Sequence, residues 1–229
     1  MKFIKPDKSI IETAKPYIGP YSDPVLRAIY YDKLKGVFNY LEDRRWKLIL
    51  EIGCGEGFLL PSLCQISEKV IGSDIKETLE LSKKITLNEI KEKCANLELK
   101  EIDARYLSSV IDKESCDVIV AISVLEHISE YKITIEEIKT CLTPKGILVC
   151  VVPTENSLYK IGRRILRYHN EYHKGYNFKE LRASLSKNFH EVKTWFSPFH
   201  LPLFFSGVYQ KSQNIVYKGN LYEHPLNPS

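Results

Sequence analysis

Apolar positions recur at helical spacing near the amino terminus and then give way to short, almost wholly apolar runs. Asp23-Pro24 is typical of a helix cap followed by proline in the first turn. The apolar residues that follow at intervals of three and four are Leu26, Ile29, Tyr30, Leu34, Val37, Phe38 and Leu41. Residues 1–22 contain three prolines and few periodic apolar positions, which predicts an irregular arm before this helix.

From Lys47 onward, apolar runs alternate with amphipathic stretches. Lys47–Gly53 is nearly free of polar residues, as expected of a strand covered on both faces. The other predicted strands are Lys69–Ser73, Leu97–Ile102, Cys116–Ser123, Gly146–Val152, His190–Phe196 and one within Gln213–Lys218; the intervening helices are Gly57–Ile66, Leu79–Lys93, Ile133–Cys141 and Phe178–Ser186. This alternation predicts an α/β fold: Rossmann-like and doubly wound, with a mostly parallel seven-stranded sheet and helices on both faces.

Composition places the chain among ordinary globular proteins. Hydrophobic residues make up 44% and charged residues 27% of 229 residues, a length that fits a single domain. The six cysteines show no CxxC spacing and lie mostly within apolar runs, which favours reduced core thiols over a metal site. The amino terminus lacks the apolar core of a signal peptide, so a cytoplasmic location is expected.

Three glycines follow the first apolar strand and precede a helix. Gly53, Gly55 and Gly57 stand in an E-x-G-x-G-x-G pattern that begins at Glu51. Glycine permits positive φ and lets a ligand approach the backbone, and the helix that follows presents free N–H groups. A dinucleotide fingerprint needs G-x-G-x-x-G, but its third glycine position is held by Phe58. A tight turn without a ligand is the alternative interpretation.

The same spacing continues along the chain. Asp74 ends the second predicted strand about 20 residues after the glycine loop, and Asp103-Ala104 follow the third. The fourth ends in Ser123-Val124-Leu125-Glu126-His127. Together these motifs resemble those of class I S-adenosylmethionine-dependent methyltransferases, in the type 11-like branch whose "LEH" sequence accompanies small-molecule acceptors. The resemblance spans roughly residues 47–152, although Lys145 stands where the family's L-x-P-G-G pattern has its first glycine.

The resemblance implies S-adenosylmethionine as the cofactor and a division of the single domain, residues 1–229. Residues 1–46 would form the arm and first helix, 47–152 the cofactor-binding core, and 153–229 an acceptor-side insert and the last strands. Asp74 would accept the ribose hydroxyls, and Asp103 and Ala104 would meet the adenine. The implied cofactor residues are Glu51, Gly53, Cys54, Gly55, Gly57, Asp74, Ile75, Asp103, Ala104 and Ser123.

His127 is the candidate general base. It follows the fourth strand, where the acceptor would approach the methyl group, and imidazole titrates near neutral pH. A structural histidine bonded to its own loop is the alternative. Quinone O-methyltransferases of this branch bind a divalent metal with E-x-x-E-H. Here Ser123 replaces the first glutamate, so no metal is expected.

The carboxyl third of the chain is basic. Residues 157–222 hold 11 Lys and Arg against three acids. Arg163, Arg164 and Arg167 lie with tyrosines and histidines in the stretch 157–175, which suggests a lid that attracts an anionic acceptor. A solvated basic helix is the alternative, and RNA binding is not favoured because no nucleic-acid module is recognised.

An aromatic stretch, residues 195–205, carries five aromatic residues and two prolines. It is interpreted as pocket wall or core, or else as a surface that meets a membrane or a lipid-linked acceptor.

The leading functional hypothesis is methyl transfer to a small-molecule acceptor, such as a phosphorylated sugar, a lipid-linked glycan or a quinone-like molecule. The alternatives are methylation of RNA or protein, and a binding protein that keeps the fold without catalysis. The NPPY-type or DPPY-type sequence of many amino-group methylases is absent after the fourth strand, which favours a small molecule. The sequence does not specify the oligomeric state.

Overall fold

The computed structural model describes residues 1–6, 11, 23–165 and 177–211, without the side chains of residues 162, 163 and 165. Helix α1 (Pro24–Leu41) begins at the predicted cap, where the Asp23 carboxylate accepts hydrogen bonds from the backbone N–H groups of Val25 and Leu26 at 2.8 and 2.9 Å. Among all the residues that the structure describes, no helix is long and apolar enough to cross a membrane.

Strands and helices then alternate. The strands are β1 (Trp46–Ile52), β2 (Ser67–Asp74), β3 (Leu97–Glu101), β4 (Cys116–Ile122), β5 (Leu142–Pro153), β6 (Phe189–Ser197) and β7 (Phe204–Lys211). The helices are α2 (Leu60–Ile66), α3 (Lys76–Ser82), α4 (Asn88–Lys93), α5 (Tyr131–Cys141), α6 (Ser157–Ile165) and α7 (Phe178–Asn188). A π-helical turn (Lys83–Leu87) joins α3 to α4, and short 3-10 helices cover Ala104–Ser109 and Leu125–His127.

These strands form one seven-stranded sheet in the order β3-β2-β1-β4-β5-β7-β6. β7 is antiparallel to both of its neighbours, and the other pairings are parallel. Each face of the sheet has its own hydrophobic core, and consecutive residues of a strand point to opposite faces. Ile49 packs with α1 and α2 on one face, while Leu50 packs with α5 and α7 on the other. The predicted doubly wound fold is therefore confirmed, and its order reverses between β1 and β4.

Several predicted boundaries were wrong. Helix α2 begins at Leu60 rather than Gly57, because Gly57 has φ +73°, outside the helical range. Strand β5 begins at Leu142 and includes the predicted turn at Pro144-Lys145-Gly146. The strand predicted within Gln213–Lys218 lies outside the described residues and stays a prediction, whereas β7 (Phe204–Lys211) was not predicted from the sequence.

The six cysteines are free, and all except Cys64 are buried, as predicted for core thiols. Phe204 and Phe205 of the aromatic stretch are core residues of β7, whereas Phe196, Phe199 and Leu201 are exposed. The stretch is thus partly core and partly surface.

Candidate functional site

A cavity of about 620 Å³ opens where the order of the sheet reverses, at the carboxyl ends of β1, β2 and β4. Ligands of open α/β sheets bind at such a point. Its walls include all of the predicted cofactor residues except Gly57, together with His127: Glu51, Gly53, Cys54, Gly55, Asp74, Ile75, Asp103, Ala104 and Ser123. The structure therefore brings together residues that are up to about a third of the chain apart.

The three glycines of the loop after β1 all have positive φ, but they face different surroundings. A Cβ on Gly53 would lie 2.4 Å from Val124 Cγ2, and one on Gly57 would lie 2.4 Å from Leu87 Cδ2. Apart from Gly55 itself (φ +49°) and its two chain neighbours, no described residue has an atom within 4 Å of a Cβ built there. Gly53 and Gly57 therefore allow close packing, while Gly55 leaves room on the cavity side.

Glu51 is a buried acid at the carboxyl end of β1. Its side chain lines the cavity, and Oε2 has no hydrogen-bond partner among the described residues. Burial, and secondarily the neighbouring Asp74 carboxylate, raises the pKa of Glu51 to about 8. A cationic group in the cavity would stabilise the ionised form of this carboxyl.

Asp74 connects the end of β2 to the glycine loop. Its Oδ2 accepts a hydrogen bond from the Gly55 N–H and its Oδ1 accepts one from the Ile75 N–H, both at 2.8 Å. Burial raises the pKa of Asp74, and the two N–H groups oppose that rise. Ile75 beside it is 48% exposed, so it adds an apolar side chain to the cavity wall.

Asp103 forms a bidentate ion pair in this structure. Its Oδ2 accepts a hydrogen bond from Arg105 Nη2 at 2.6 Å, and its Oδ1 accepts one from Nε at 3.0 Å. Arg105 also donates from Nη1 to Glu130 at 2.8 Å. The hydrogen bonds from Arg105 lower the pKa of Asp103. Asp103 therefore lines the cavity as an anion whose oxygens already accept hydrogen bonds.

The segment after β4 forms another part of the cavity wall. Ser123 has φ +53°, and its N–H donates to the Val151 carbonyl at 2.8 Å. His127 ends the short 3-10 helix, is exposed and lines the cavity. This position is compatible with the predicted role of His127, which stays a prediction.

Lys33 is a site residue that the sequence reasoning missed. It lies on α1, is only 1% exposed, and lines the cavity. Its Nζ donates a hydrogen bond to Ser123 Oγ at 2.9 Å. The signal was present in the sequence, because Lys33 falls within the apolar stripe of the helix, between Tyr30 and Leu34.

A second buried acid, Glu126, lies close enough to Lys33 to interact electrostatically. It is 6% exposed, and its Oε2 has no hydrogen-bond partner among the residues described. Burial raises the pKa of Glu126 and lowers that of Lys33, while each charge partly offsets the effect on the other.

The predicted basic lid falls largely outside the described residues. Arg167 lies in the undescribed stretch, and the side chain of Arg163 is not described. Arg164 is exposed on α6 and is not part of the cavity wall. No group of three or more His, Cys, Asp or Glu side chains that could hold a metal ion occurs in the described ranges, and the expectation of no metal stays a prediction.

A sequence model of the family described as "Methyltransferase domain" matches residues 26–193, which include every residue of the cavity wall. The chain belongs to the class I S-adenosylmethionine-dependent methyltransferases. Its family membership confirms the resemblance found in the glycine loop and the acidic strand ends.

Curated relatives match part of this methyltransferase. The ubiquinone biosynthesis O-methyltransferase of Haemophilus ducreyi is 29% identical over 119 residues, covering 48% of this chain and 49% of the relative. The protein of the same name from Bartonella tribocorum is 28% identical over 151 residues, covering 61% and 58%. The chain thus spans about half the length of the curated relatives that it matches.

Solved structures share the fold at low sequence identity. A SAM-dependent methyltransferase from Aquifex aeolicus has a TM-score of 0.65 at 17% identity and covers 91% of this chain and 100% of its own. The magnesium protoporphyrin IX methyltransferase from Synechocystis, solved with bound SAH, has a TM-score of 0.65 at 17% identity, covering 90% and 100%.

S-adenosylmethionine is accordingly the cofactor of this methyltransferase, and the cavity suits it. The buried Glu51 Oε2 lacks a partner in the described protein, as expected of an oxygen that faces a cationic ligand. Gly55 leaves open space where a side chain would otherwise project, and Ile75 offers an apolar contact. The residues present therefore fit a ligand that is partly cationic and partly apolar.

Proposed function

We propose that this methyltransferase transfers the methyl group of S-adenosylmethionine to a small-molecule acceptor that carries an acidic or anionic group. The observation that carries this proposal is the lining of a single cavity, which includes Asp74 and Asp103 as well as the buried Lys33 and the exposed His127. Its volume of about 620 Å³ lies within the range of small-molecule sites, about 300–1,000 Å³.

The cofactor and the acceptor are proposed to occupy different halves of the cavity. The cofactor would lie over β1 and β2, with Glu51 beside its positive charge, Asp74 on its ribose hydroxyls, and Asp103 and Ala104 at its adenine. The acceptor would lie over β4 and α1, between Lys33 and His127. Bound S-adenosylmethionine supplies an already activated methyl carbon, so the protein has mainly to hold the acceptor in line with it.

Two features support a small acceptor. The curated relatives are named for ubiquinone biosynthesis, which involves small molecules. Lys33, at the proposed acceptor end of the cavity, is buried. A small anion can enter a buried site more readily than a folded macromolecule can. The exposed His127 at the cavity wall is proposed to accept a proton from the acceptor.

Methyl transfer from labelled cofactor tests this proposal. Purified protein is incubated with methyl-labelled S-adenosylmethionine and, separately, with a metabolite extract, total RNA and a protein fraction from the source cells. We expect label in the metabolite fraction, and none with the Gly55→Val variant. Label confined to RNA or protein would contradict the small-molecule proposal, and binding of cofactor without transfer to any fraction would indicate a non-catalytic protein.

A further inference from the structure

We propose that the Lys33 ammonium group binds the acceptor oxygen that receives the methyl group, and that this oxygen is ionised when it reacts. The acceptor would then be an acid at that atom: a phenol, an enol or a carboxylic acid. This inference rests on the proposed function and narrows its acceptor class.

The groups in contact with the Lys33 Nζ are electrically neutral. Its Nζ lies 4.0 Å from the centroid of the Tyr30 ring and 4.7 Å from that of Phe204. Aromatic faces attract a cation through their quadrupole and carry no net charge. Ser123 Oγ, 2.9 Å away, accepts one of the three ammonium protons. When Lys33 is protonated, neither the rings nor the hydroxyl cancels its charge, so that charge can attract an anion in the cavity.

The position of Lys33 assigns it to the acceptor rather than to the cofactor. In the sheet, β4 lies on one side of β1 while β2 and β3 lie on the other. Asp74 ends β2 and Asp103 follows β3, whereas Lys33 donates to Ser123, the one implied cofactor residue that follows β4. The charge of Lys33 therefore faces the half of the cavity farther from the predicted ribose and adenine contacts.

Glu126 does not remove the need for an anion. It is not part of the cavity wall. Burial, and less strongly the Glu155 carboxyl, raises its pKa, while a backbone hydrogen bond and the Lys33 charge lower it, so Glu126 is a weaker partner for the ammonium group than an ordinary carboxylate. Burial also lowers the pKa of Lys33. An ionised acceptor oxygen would stabilise the charged form of Lys33, so binding of the anion and protonation of the lysine favour each other.

In the proposed transfer, each proton and each bonding electron pair has an acceptor. The acceptor hydroxyl loses its proton to His127, or to water when the acceptor is already ionised in solution. The oxygen anion then forms the new O–CH₃ bond, the S–CH₃ bond breaks, and its electron pair stays on sulfur. The methylated product is neutral at this oxygen and no longer attracts Lys33, which favours its release.

Two matched probes test the role of Lys33 without the natural acceptor. 4-Nitrophenol ionises near neutral pH and changes colour when it does, while 4-nitroaniline has the same shape and stays neutral. Each is titrated into protein saturated with S-adenosylhomocysteine, and absorbance reports binding and the ionisation of the phenol. We expect the wild type to prefer nitrophenolate and to lower the apparent pKa of the bound phenol.

Lys33→Met should weaken nitrophenolate binding by about 10- to 100-fold, the loss expected for a charged hydrogen bond. Nitroaniline binding should change little, and Lys33→Arg should restore part of the preference. Lys35→Met is the matched control, because Lys35 is exposed on the same helix. Thermal melts and S-adenosylhomocysteine binding verify that each variant is folded.

Two results would overturn the inference: a wild type that binds nitroaniline as well as nitrophenolate, or a folded Lys33→Met variant that keeps the preference. In both cases intact S-adenosylhomocysteine binding would leave the proposed function standing. If the wild type fails to bind S-adenosylhomocysteine, the proposed function itself is wrong.

Discussion

Replacing Gly55 with valine is expected to abolish cofactor binding. Gly55 has φ +49°, which a β-branched residue adopts only under strain. A Cβ there meets no described atom within 4 Å, so the added methyl groups would project into the cavity instead of clashing with the core. We expect the strain also to displace the Gly55 N–H from Asp74 Oδ2. We expect a loss of about 100-fold or more in S-adenosylhomocysteine affinity by calorimetry.

Gly55→Ala and Gly57→Val provide controls for this result. Alanine adds one methyl group at the same φ and should give an intermediate loss. A side chain at Gly57 would lie 2.4 Å from Leu87 Cδ2, so Gly57→Val should lower the melting temperature as well as the affinity. A folded Gly55→Val protein that binds as tightly as the wild type would show that the ligand lies elsewhere.

Replacing His127 with alanine is expected to lower kcat by about 10²- to 10⁴-fold, the usual contribution of a general base. Cofactor affinity should change little, because the proposed ribose and adenine contacts lie at the ends of β2 and β3 and not in the segment after β4 that holds His127. Steady-state kinetics with an acceptor found by label transfer would measure this effect. In the wild type, kcat/KM should also rise with pH through the imidazole range, and the variant should lose that inflection.

The outcome for His127 also bears on Lys33. If His127→Ala keeps most of its kcat, the histidine is structural and the acceptor reaches the site already ionised. His127→Gln, which keeps a polar side chain but cannot act as a base near neutral pH, separates hydrogen bonding from proton transfer. Recovery of kcat in His127→Gln would contradict the general-base role.

Much of the cofactor half of the site could be predicted from the sequence. The carboxyl ends of parallel strands meet at one edge of a sheet, so Glu51, Asp74 and Asp103 could be placed together from strand order alone. The interactions that each of these residues makes could not be predicted from the sequence. Gly57 allows close packing against Leu87, which is 30 positions away in the chain. Asp103 accepts hydrogen bonds from Arg105, and this pairing depends on side-chain positions that the sequence does not show.

The acceptor half was harder to predict. Helical spacing places Lys33 among apolar neighbours, but its partner Ser123 is 90 residues away in the chain. Strand β7 was missed for a related reason: its first six residues are all buried, so they show no alternation of apolar and polar positions. The position of Lys33 in the site and the formation of β7 both depend on contacts between residues far apart in the chain, which a local sequence pattern does not show.

The raised pKa of Glu51 gives cofactor binding a pH dependence. At pH 7 a carboxyl with a pKa of about 8 is mostly protonated. A bound cation favours the carboxylate and lowers this pKa, so binding should release a proton and affinity should rise as the pH approaches 8. Glu51→Gln cannot ionise, and it should bind more weakly without proton release.

Calorimetric titration of the wild-type protein with S-adenosylmethionine tests the central claim most directly. At pH 7, in two buffers of different ionisation enthalpy, we expect saturable binding with proton release, and no heat from NAD. Glu51→Gln should show the same heat in both buffers. Binding of NAD in place of S-adenosylmethionine and S-adenosylhomocysteine would contradict the assignment of this cavity to a methyltransferase cofactor.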